Sequence, residues 1–217
     1  MTFPRRMLLA AAALFALAAC QKTGATSVAS ATGDMFQGAE NAPITVVEYA
    51  STTCPHCKHF HETVYPSLKS KYIDTGKVKF IFREFPTPPE AIAVAEFQIA
   101  RCAGKDKYFA LLDTFFKEQE GIFQQAQSPT GAKPALLGIA RQAGMSEEQF
   151  EACIADPKGQ QAILDTAKAG MDKYKITGTP TLVIDETPMP GEQNPEAYNI
   201  DGLSKILDAK LAAKGAK

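Results

Sequence analysis

Two cysteines separated by two residues, in Cys54-Pro55-His56-Cys57, are the residues of this 217-residue sequence best placed to do chemistry. Two intervening residues on a first helical turn bring two sulfurs within disulfide reach. A sulfur at a helix start faces backbone N–H groups that lack intrahelical partners and the positive end of the helix dipole, and both favour thiolate over thiol. Pro55 suits such a start, because its missing N–H would have had no acceptor there. His56 adds a donor, and when protonated a charge, near the Cys54 sulfur. A stabilised thiolate favours the dithiol over the disulfide, so the disulfide becomes the stronger oxidant and is readily passed to another thiol. The chemistry to expect is therefore that of a redox-active Cys54–Cys57 disulfide working without a further cofactor.

Other uses of these residues fit less well. A zinc site would draw on Cys54, Cys57 and His59 or His61, but such ligands crowd into eight residues and no second Cys-x-x-Cys follows, so no metal is expected. Covalent haem needs a His directly after the second Cys, where this chain has Lys58. His59 and His61 then read as solvated residues of a helix surface. A purely structural disulfide at this spacing would close too short a loop to constrain the unfolded chain much.

The elements that must position the pair follow from periodicity. Thr45 to Ala50 is an apolar, β-branched run that reads as a buried strand ending just before the motif. From Cys54 the pattern is helical to about Tyr72, with Pro66 expected to kink it, and Gly76 ends the unit. Val78 to Phe85 reads as a second strand, closed by Pro86, Pro88 and Pro89. A strand, helix and strand of this length form a βαβ unit with parallel strands. Ala91–Ala103, Tyr108–Gln119, Pro134–Ala143, Glu147–Ala155 and Gln160–Tyr174 then suit helix, punctuated by glycines and Pro157. Ser146 with Gln149 three residues on is a capping box. Thr181 to Ile184 reads as a strand, Pro188 to Pro195 as a Pro-rich stretch of weak strand character, and Ile200 to Lys214 as a final amphipathic helix. Ile92, Phe97, Phe109, Phe115 and Phe116 are core candidates.

The first residues differ from the rest. Arg5 and Arg6 precede Met7 to Ala19, an unbroken apolar run of 13 residues, and a membrane span needs about 20. The pattern reads as a secretory signal over 1–19. It ends in Leu17-Ala18-Ala19-Cys20, which resembles the lipobox of bacterial lipoproteins and would make Cys20 the lipidated first residue of the exported form; the alternative is an ordinary cleavage site beside a chance cysteine. Gln21 stands where an inner-membrane retention signal typically has Asp, so either membrane remains open. Residues 20–34 read as a flexible tether. Export makes disulfides the first reading of the cysteines. Of the five, four remain if Cys20 carries lipid: Cys54, Cys57, Cys102 and Cys153. A Cys102–Cys153 bond would staple helices 51 residues apart, against the alternative of two buried thiols. A net charge of −1, with no basic tract, argues against nucleic acid as a partner.

Three separated features resemble the DsbA-like branch of the thioredoxin superfamily: Cys54-Pro55-His56-Cys57, the lead-in Asn41-Ala42-Pro43-Ile44-Thr45-Val46-Val47-Glu48-Tyr49, and Gly178-Thr179-Pro180-Thr181 just before a strand. The resemblance spans roughly residues 35 to 214. It implies an α/β, thioredoxin-like fold, with a thioredoxin domain of residues 35–89 and 176–214 and a helical domain of 90–175 inserted between its βαβ half and its C-terminal half. It implies that Cys54 is the nucleophile and Cys57 its buried partner, that Pro180 follows a cis bond placing the Thr179 backbone beside Cys54, and that Glu48 is a buried acid able to relay protons to Cys57; a solvated strand carboxylate is the alternative for Glu48. Some relatives carry an extra disulfide in the helical domain, the place of Cys102 and Cys153. Thr179 departs from the Val common in the oxidases and matches the isomerases. Residues 21 to 40 are too few for the isomerases' dimerisation domain, which favours a monomer.

The expected function is a periplasmic, lipid-anchored thiol:disulfide oxidoreductase, foremost a dithiol oxidase of reduced exported proteins served by a reoxidising membrane partner. An isomerase or reductase of the same fold, or a lipid-anchored binding or chaperone module, are the competing readings.

Overall fold

The computed structural model describes residues 33–216. The expected signal (1–19), the lipidation site Cys20 and most of the tether lie outside the described residues. The last two tether residues are held, which corrects the expectation of a flexible segment up to residue 34. Arg83 grips the Asp34 carboxylate with Nε at 3.0 Å and Nη2 at 2.9 Å, and Arg101 donates to the Gly33 carbonyl at 3.2 Å.

A mixed five-stranded sheet runs in the order β1-β3-β2-β4-β5. Its strands are β1 (Met35–Gln37), β2 (Ile44–Ala50), β3 (Val78–Glu84), β4 (Thr181–Ile184) and β5 (Thr187–Pro190). β2 and β3 are parallel, from Ile44 beside Val78 to Ala50 beside Glu84, as a βαβ unit requires; the other pairs are antiparallel. β1 went unread in the sequence, because three residues are too few to show a period. β5 carries Pro188 and Pro190 without penalty because among the described residues it is an edge strand, bonded only to β4. Tyr198 reinforces this weak edge: its hydroxyl accepts from the Leu182 N–H at 2.9 Å and donates to the Met189 carbonyl at 2.6 Å.

Between β2 and β3 lie α1 (Pro55–Thr63), the short α2 (Tyr65–Leu68) and a π-helical turn, Lys69–Ile73. The helix breaks at Val64, two residues before Pro66, where φ and ψ reach −109° and −50°. Between β3 and β4 come α3 (Glu90–Cys102), α4 (Lys105–Ala126), α5 (Lys133–Gln142), α6 (Glu147–Ile154) and α7 (Pro157–Tyr174), and α8 (Ile200–Ala213) closes the chain. The fold is thioredoxin-like with this helical insertion. Ser146 and Gln149 form a complete capping box at the start of α6.

β2 is central, and both of its faces are covered. Ile44, Val46 and Ala50 belong to the main core with residues of α1, α3, α4 and α8. Val47 and Tyr49 face a smaller core with Ile81, Ile176 and Val183. α7 presses so closely on that second face that a Cβ at Gly170 would lie 2.4 Å from the Tyr49 ring. Phe97, Phe115 and Phe116 are fully buried, whereas Ile92 and Phe109 are only half-buried at the rim of the core. A buried ion pair ties β3 to the insertion: Arg101 donates to both Glu84 oxygens at 2.6 and 2.8 Å, and the Tyr108 hydroxyl donates to one of them at 2.6 Å.

Cys102 and Cys153 are joined in a disulfide that links α3 to α6 across a sequence separation of 51. Closing a loop of that length restricts the unfolded chain by about 4 kcal/mol in the chain-entropy description. The double variant Cys102→Ala, Cys153→Ala is expected to lose about 3 kcal/mol and to melt roughly 10 °C lower by calorimetry, since measured gains fall short of the ideal. An unchanged melting temperature would show that helix packing alone holds α3 to α6.

Candidate redox site

Cys54 is the N-cap of α1, with an extended backbone at φ −86° and ψ 121°, and Pro55 follows in the first helical turn. A tight turn delivers it: the Cys54 N–H bonds the Ser51 carbonyl at 3.1 Å, and the Lys58 N–H bonds the Cys54 carbonyl at 3.1 Å to open the helix. The turn is locked from both sides. Thr53 donates its hydroxyl to the Thr87 carbonyl at 2.8 Å, and Gln119 of α4 donates to the Thr52 carbonyl at 2.6 Å.

Cys54 and Cys57 are a dithiol in this structure. Cys54 is 8% exposed, with its sulfur at intermediate depth beneath the surface. Its thiol is lowered from 9.0 to about 5, first by the hydrogen bond from the Cys57 side chain. Burial opposes the shift, while the Thr179 side chain and the backbone N–H groups of Cys57 and His56 add to it. His56 therefore acts on the sulfur through its backbone N–H; its ring is exposed and lines the cleft beside the site. Cys57 is 0% exposed and is pushed the other way, by burial first, then by the neighbouring Cys54 and by the Glu48 charge. The Ser51 N–H points at its sulfur from 3.5 Å. Adjacent sulfurs with opposed proton affinities are what directional thiol–disulfide exchange needs, one reactive and one held in reserve.

The Thr179–Pro180 peptide is cis. Across 125 residues of sequence the Thr179 carbonyl accepts from the Cys54 thiol at 3.4 Å. A cleft of about 600 Å³ opens there, walled by His56, His59 and Phe60 on one side and by residues 177–181, Pro190–Gln193 and Tyr198 on the other. Glu48 is 0% exposed on central β2, which removes the solvated alternative for it.

His61 corrects the sequence reading. It is buried, with Nε2 2.8 Å from Glu48 Oε2 and its ring stacked between Phe116 and Tyr65 at 4.3 and 4.7 Å. The signal was present: Cys57, Phe60, His61 and Val64 stand at the i, i+3, i+4, i+7 spacing of an inward helical stripe. His59, by contrast, is exposed. Glu96 of α3 is a second buried acid beside the Thr52 turn, pushed up to about 8 by burial. The Thr52 hydroxyl opposes this shift without reaching hydrogen-bond geometry, and Glu96 Oε2 is left without a partner. Among the described residues no group of His, Cys, Asp and Glu converges as a metal site would, and no helix is long and apolar enough to cross a membrane.

The family model described as Thioredoxin matches residues 30–209. This chain belongs to the DsbA-like branch of the thioredoxin superfamily. A Rickettsia typhi protein bearing the provisional name protein-disulfide oxidoreductase is 30% identical over 178 residues, which are 82% of this chain and 62% of the relative's length. The crystal structure of Wolbachia pipientis alpha-DsbA1 superposes with a TM-score of 0.72 at 27% identity, covering 83% of this chain and 92% of that one. BdbD from Bacillus subtilis shares the fold, with a TM-score of 0.66 at 17% identity over 84% of this chain and 98% of its own. In this DsbA-like chain, Cys54, Cys57, Glu48 and the Thr179–Pro180 loop converge on one end of the sheet, while the Cys102–Cys153 bond lies apart from them in the helical insertion.

Proposed function

We propose that this chain is an exported protein disulfide oxidase, tethered to a membrane through lipid on Cys20, that donates the Cys54–Cys57 disulfide to reduced proteins in the periplasm. The observation that carries the redox part is the downward shift of Cys54 beside an upward-shifted Cys57. The sequence of the first twenty residues carries the export part.

The cycle balances in two steps. A substrate thiolate attacks Cys54 Sγ; the Cys54–Cys57 bond breaks, a mixed disulfide forms, and the electron pair stays on Cys57. The buried Cys57 thiolate takes a proton, with Glu48 as the group that relays it. A second substrate thiolate then attacks the substrate sulfur of the mixed disulfide and releases Cys54 as thiolate. The substrate has lost two electrons and the Cys54–Cys57 pair has gained them, so a membrane partner with an oxidising cofactor returns the pair to the disulfide. The cleft beside Pro180 would hold the substrate in extended form against the backbone of residues 179–181, and a single copy of the chain supplies every group involved.

Thr179 favours a second reading, an isomerase or reductase of the same fold. Its side chain nevertheless supports the Cys54 thiolate, which pulls toward the oxidase. The disulfide form mixed with a reduced two-cysteine peptide is expected to convert the peptide stoichiometrically within minutes, and the dithiol form to reduce insulin poorly. Efficient insulin reduction with no peptide oxidation would replace the oxidase by the reductase.

A further inference from the structure

Among the described residues Glu48 and His61 each leave one polar atom buried without a partner, Glu48 Oε1 and His61 Nδ1. Orphaned polar atoms are rare in protein interiors and call for a reason. We propose that His61 is a positioning residue of the redox site, holding Glu48 by one carboxylate oxygen so that the other stays free to exchange a proton with Cys57. This rests on the reading of Glu48 as the relay to Cys57, and nothing in the sequence motif assigns His61 a part in it.

The geometry allows His61 little else. Its ring is clamped by Phe116 and Tyr65, stacked with ring centroids 4.3 and 4.7 Å away, and the Phe60 and Phe82 rings meet it edge-on with centroids at 5.9 and 6.0 Å. Rotation of the imidazole out of this slot would displace four aromatic side chains. Nδ1 meets no acceptor, so a proton there would be a buried, unsatisfied donor. The ring proton therefore belongs on Nε2 and is donated to Glu48 Oε2 at 2.8 Å. Two consequences follow for Glu48. Its side chain is pinned by this bond alone among the described residues, and Oε1 is buried with no protein partner among them. An unused carboxylate oxygen facing no donor is suited to accept a proton and poor at anything else.

The proton that moves is the one on Cys57. When Cys57 attacks a mixed disulfide at Cys54, its S–H proton goes to Glu48 Oε1, its sulfur bonds Cys54 Sγ, and the partner sulfur leaves with the electron pair. In the reverse direction Oε1 returns the proton to the departing Cys57 thiolate. His61 donates to Oε2 throughout, so the carboxyl group stays aligned in both protonation states. The charges that act on Cys57 come first from Cys54 and then from Glu48, while Glu96, the second buried acid, stands beside the Thr52 turn. Tyr65 of α2, Tyr108 of α4 and Tyr198 are all pushed above the ordinary tyrosine value and keep their protons. The Glu84 charge is held by Arg101, Cys54 is the nucleophile itself, and the Asp113 charge acts on Tyr65.

Stopped-flow reaction of the dithiol protein with oxidised glutathione tests this, because its second phase is the attack of Cys57 on the Cys54–glutathione mixed disulfide. Glu48→Gln and His61→Phe should each slow that phase about tenfold at pH 7 and change its pH profile, leaving the first phase, the attack by Cys54, within about twofold. His61→Gln keeps a donor to Oε2 and should recover most of the rate. The double variant Glu48→Gln, His61→Phe should be no slower than the slower single variant, because the two residues act as one unit. A second phase at the normal rate in His61→Phe, with Glu48→Gln slow, overturns the role of His61 and leaves the relay standing. A normal rate in Glu48→Gln overturns the relay itself and this inference with it. Effects that multiply in the double variant also overturn it. Nitrogen-15 spectra of the unsubstituted protein provide a check that needs no variant to fold: His61 should carry its proton on Nε2, and a proton on Nδ1 with Nε2 bare overturns the assignment.

Discussion

Serine at position 54 is expected to reduce dithiol–disulfide exchange by at least about 10³-fold, while alanine at position 57 arrests the protein as a mixed disulfide on Cys54. The asymmetry comes from the two environments. Cys54 caps α1 next to cleft residues His56 and Thr179 and keeps 8% of its surface exposed, with its thiol lowered to about 5, so at neutral pH it is a thiolate at the edge of the surface. A serine hydroxyl in the same place keeps its proton and has no redox chemistry. Cys57 is 0% exposed and its thiol is pushed up by burial, so no external disulfide reaches it. In Cys57→Ala the first attack still proceeds and the internal resolving sulfur is gone. Thiol counting and intact-mass measurement after mixing with oxidised glutathione check both variants. Activity surviving in Cys54→Ser would move the function to the cleft as a binding surface and end the redox assignment. Equal accumulation of mixed disulfide on both cysteines would end the division of labour.

Titration of the Cys54 thiolate by its absorbance near 240 nm is expected to show a midpoint near 5 in the dithiol protein and no such transition in Cys54→Ser. The sign of the linked stability follows. The folded value lies below the unfolded one of 9.0, so the dithiol form gains stability that is complete above pH 9 and is lost as pH falls through 5. At pH 7 part of it remains, about 2 kcal/mol after allowance for solvent near the sulfur. Cys57 adds nothing at that pH, because its raised value leaves it protonated in both states. The dithiol form should thus unfold at higher denaturant than the disulfide form at pH 7, and the difference should vanish below pH 5. Because the leading cause of the shift is the hydrogen bond from Cys57, Cys57→Ala should move the Cys54 midpoint upward toward an ordinary thiol. A midpoint near 9 in the unsubstituted protein would remove the driving force for disulfide donation.

That leading cause differs in kind from the one read off the motif. A helix start is visible in Cys-Pro-His-Cys, and the backbone N–H groups of His56 and Cys57 do act on the sulfur. The larger effect comes from a side chain whose own thiol is locked as a donor by complete burial, and burial is not written in four residues. The same distinction separates Glu48 from His61. Strand periodicity placed Glu48 in β2, and resemblance implied that it is buried. His61 looked like a surface residue because a lone histidine beside Lys58 and Glu62 gives no apolar signal of its own. Its place in the inward stripe of α1 acquires meaning only when Phe116 of α4 and Tyr65 close over it.

Local order was legible throughout: the β2 strand before the motif, Pro55 at the helix start, the Ser146 capping box, the break near Pro66 and the run of helices between two stretches of strand. Each depends on residues within a turn or two of one another, so spacing along the chain carries the information. What the chain could not state is what meets what across long separations. Thr179 reaches Cys54 over 125 residues, Gln119 fixes the Thr52 turn over 67, and His61 finds its acceptor on a strand covered on both faces. Those contacts arise because a central strand must be buried from both sides, and the helices that bury it arrive from distant parts of the sequence. Packing therefore decided how strongly Cys54 holds its proton, where the Cys57 proton can go, and which histidine has a part in it.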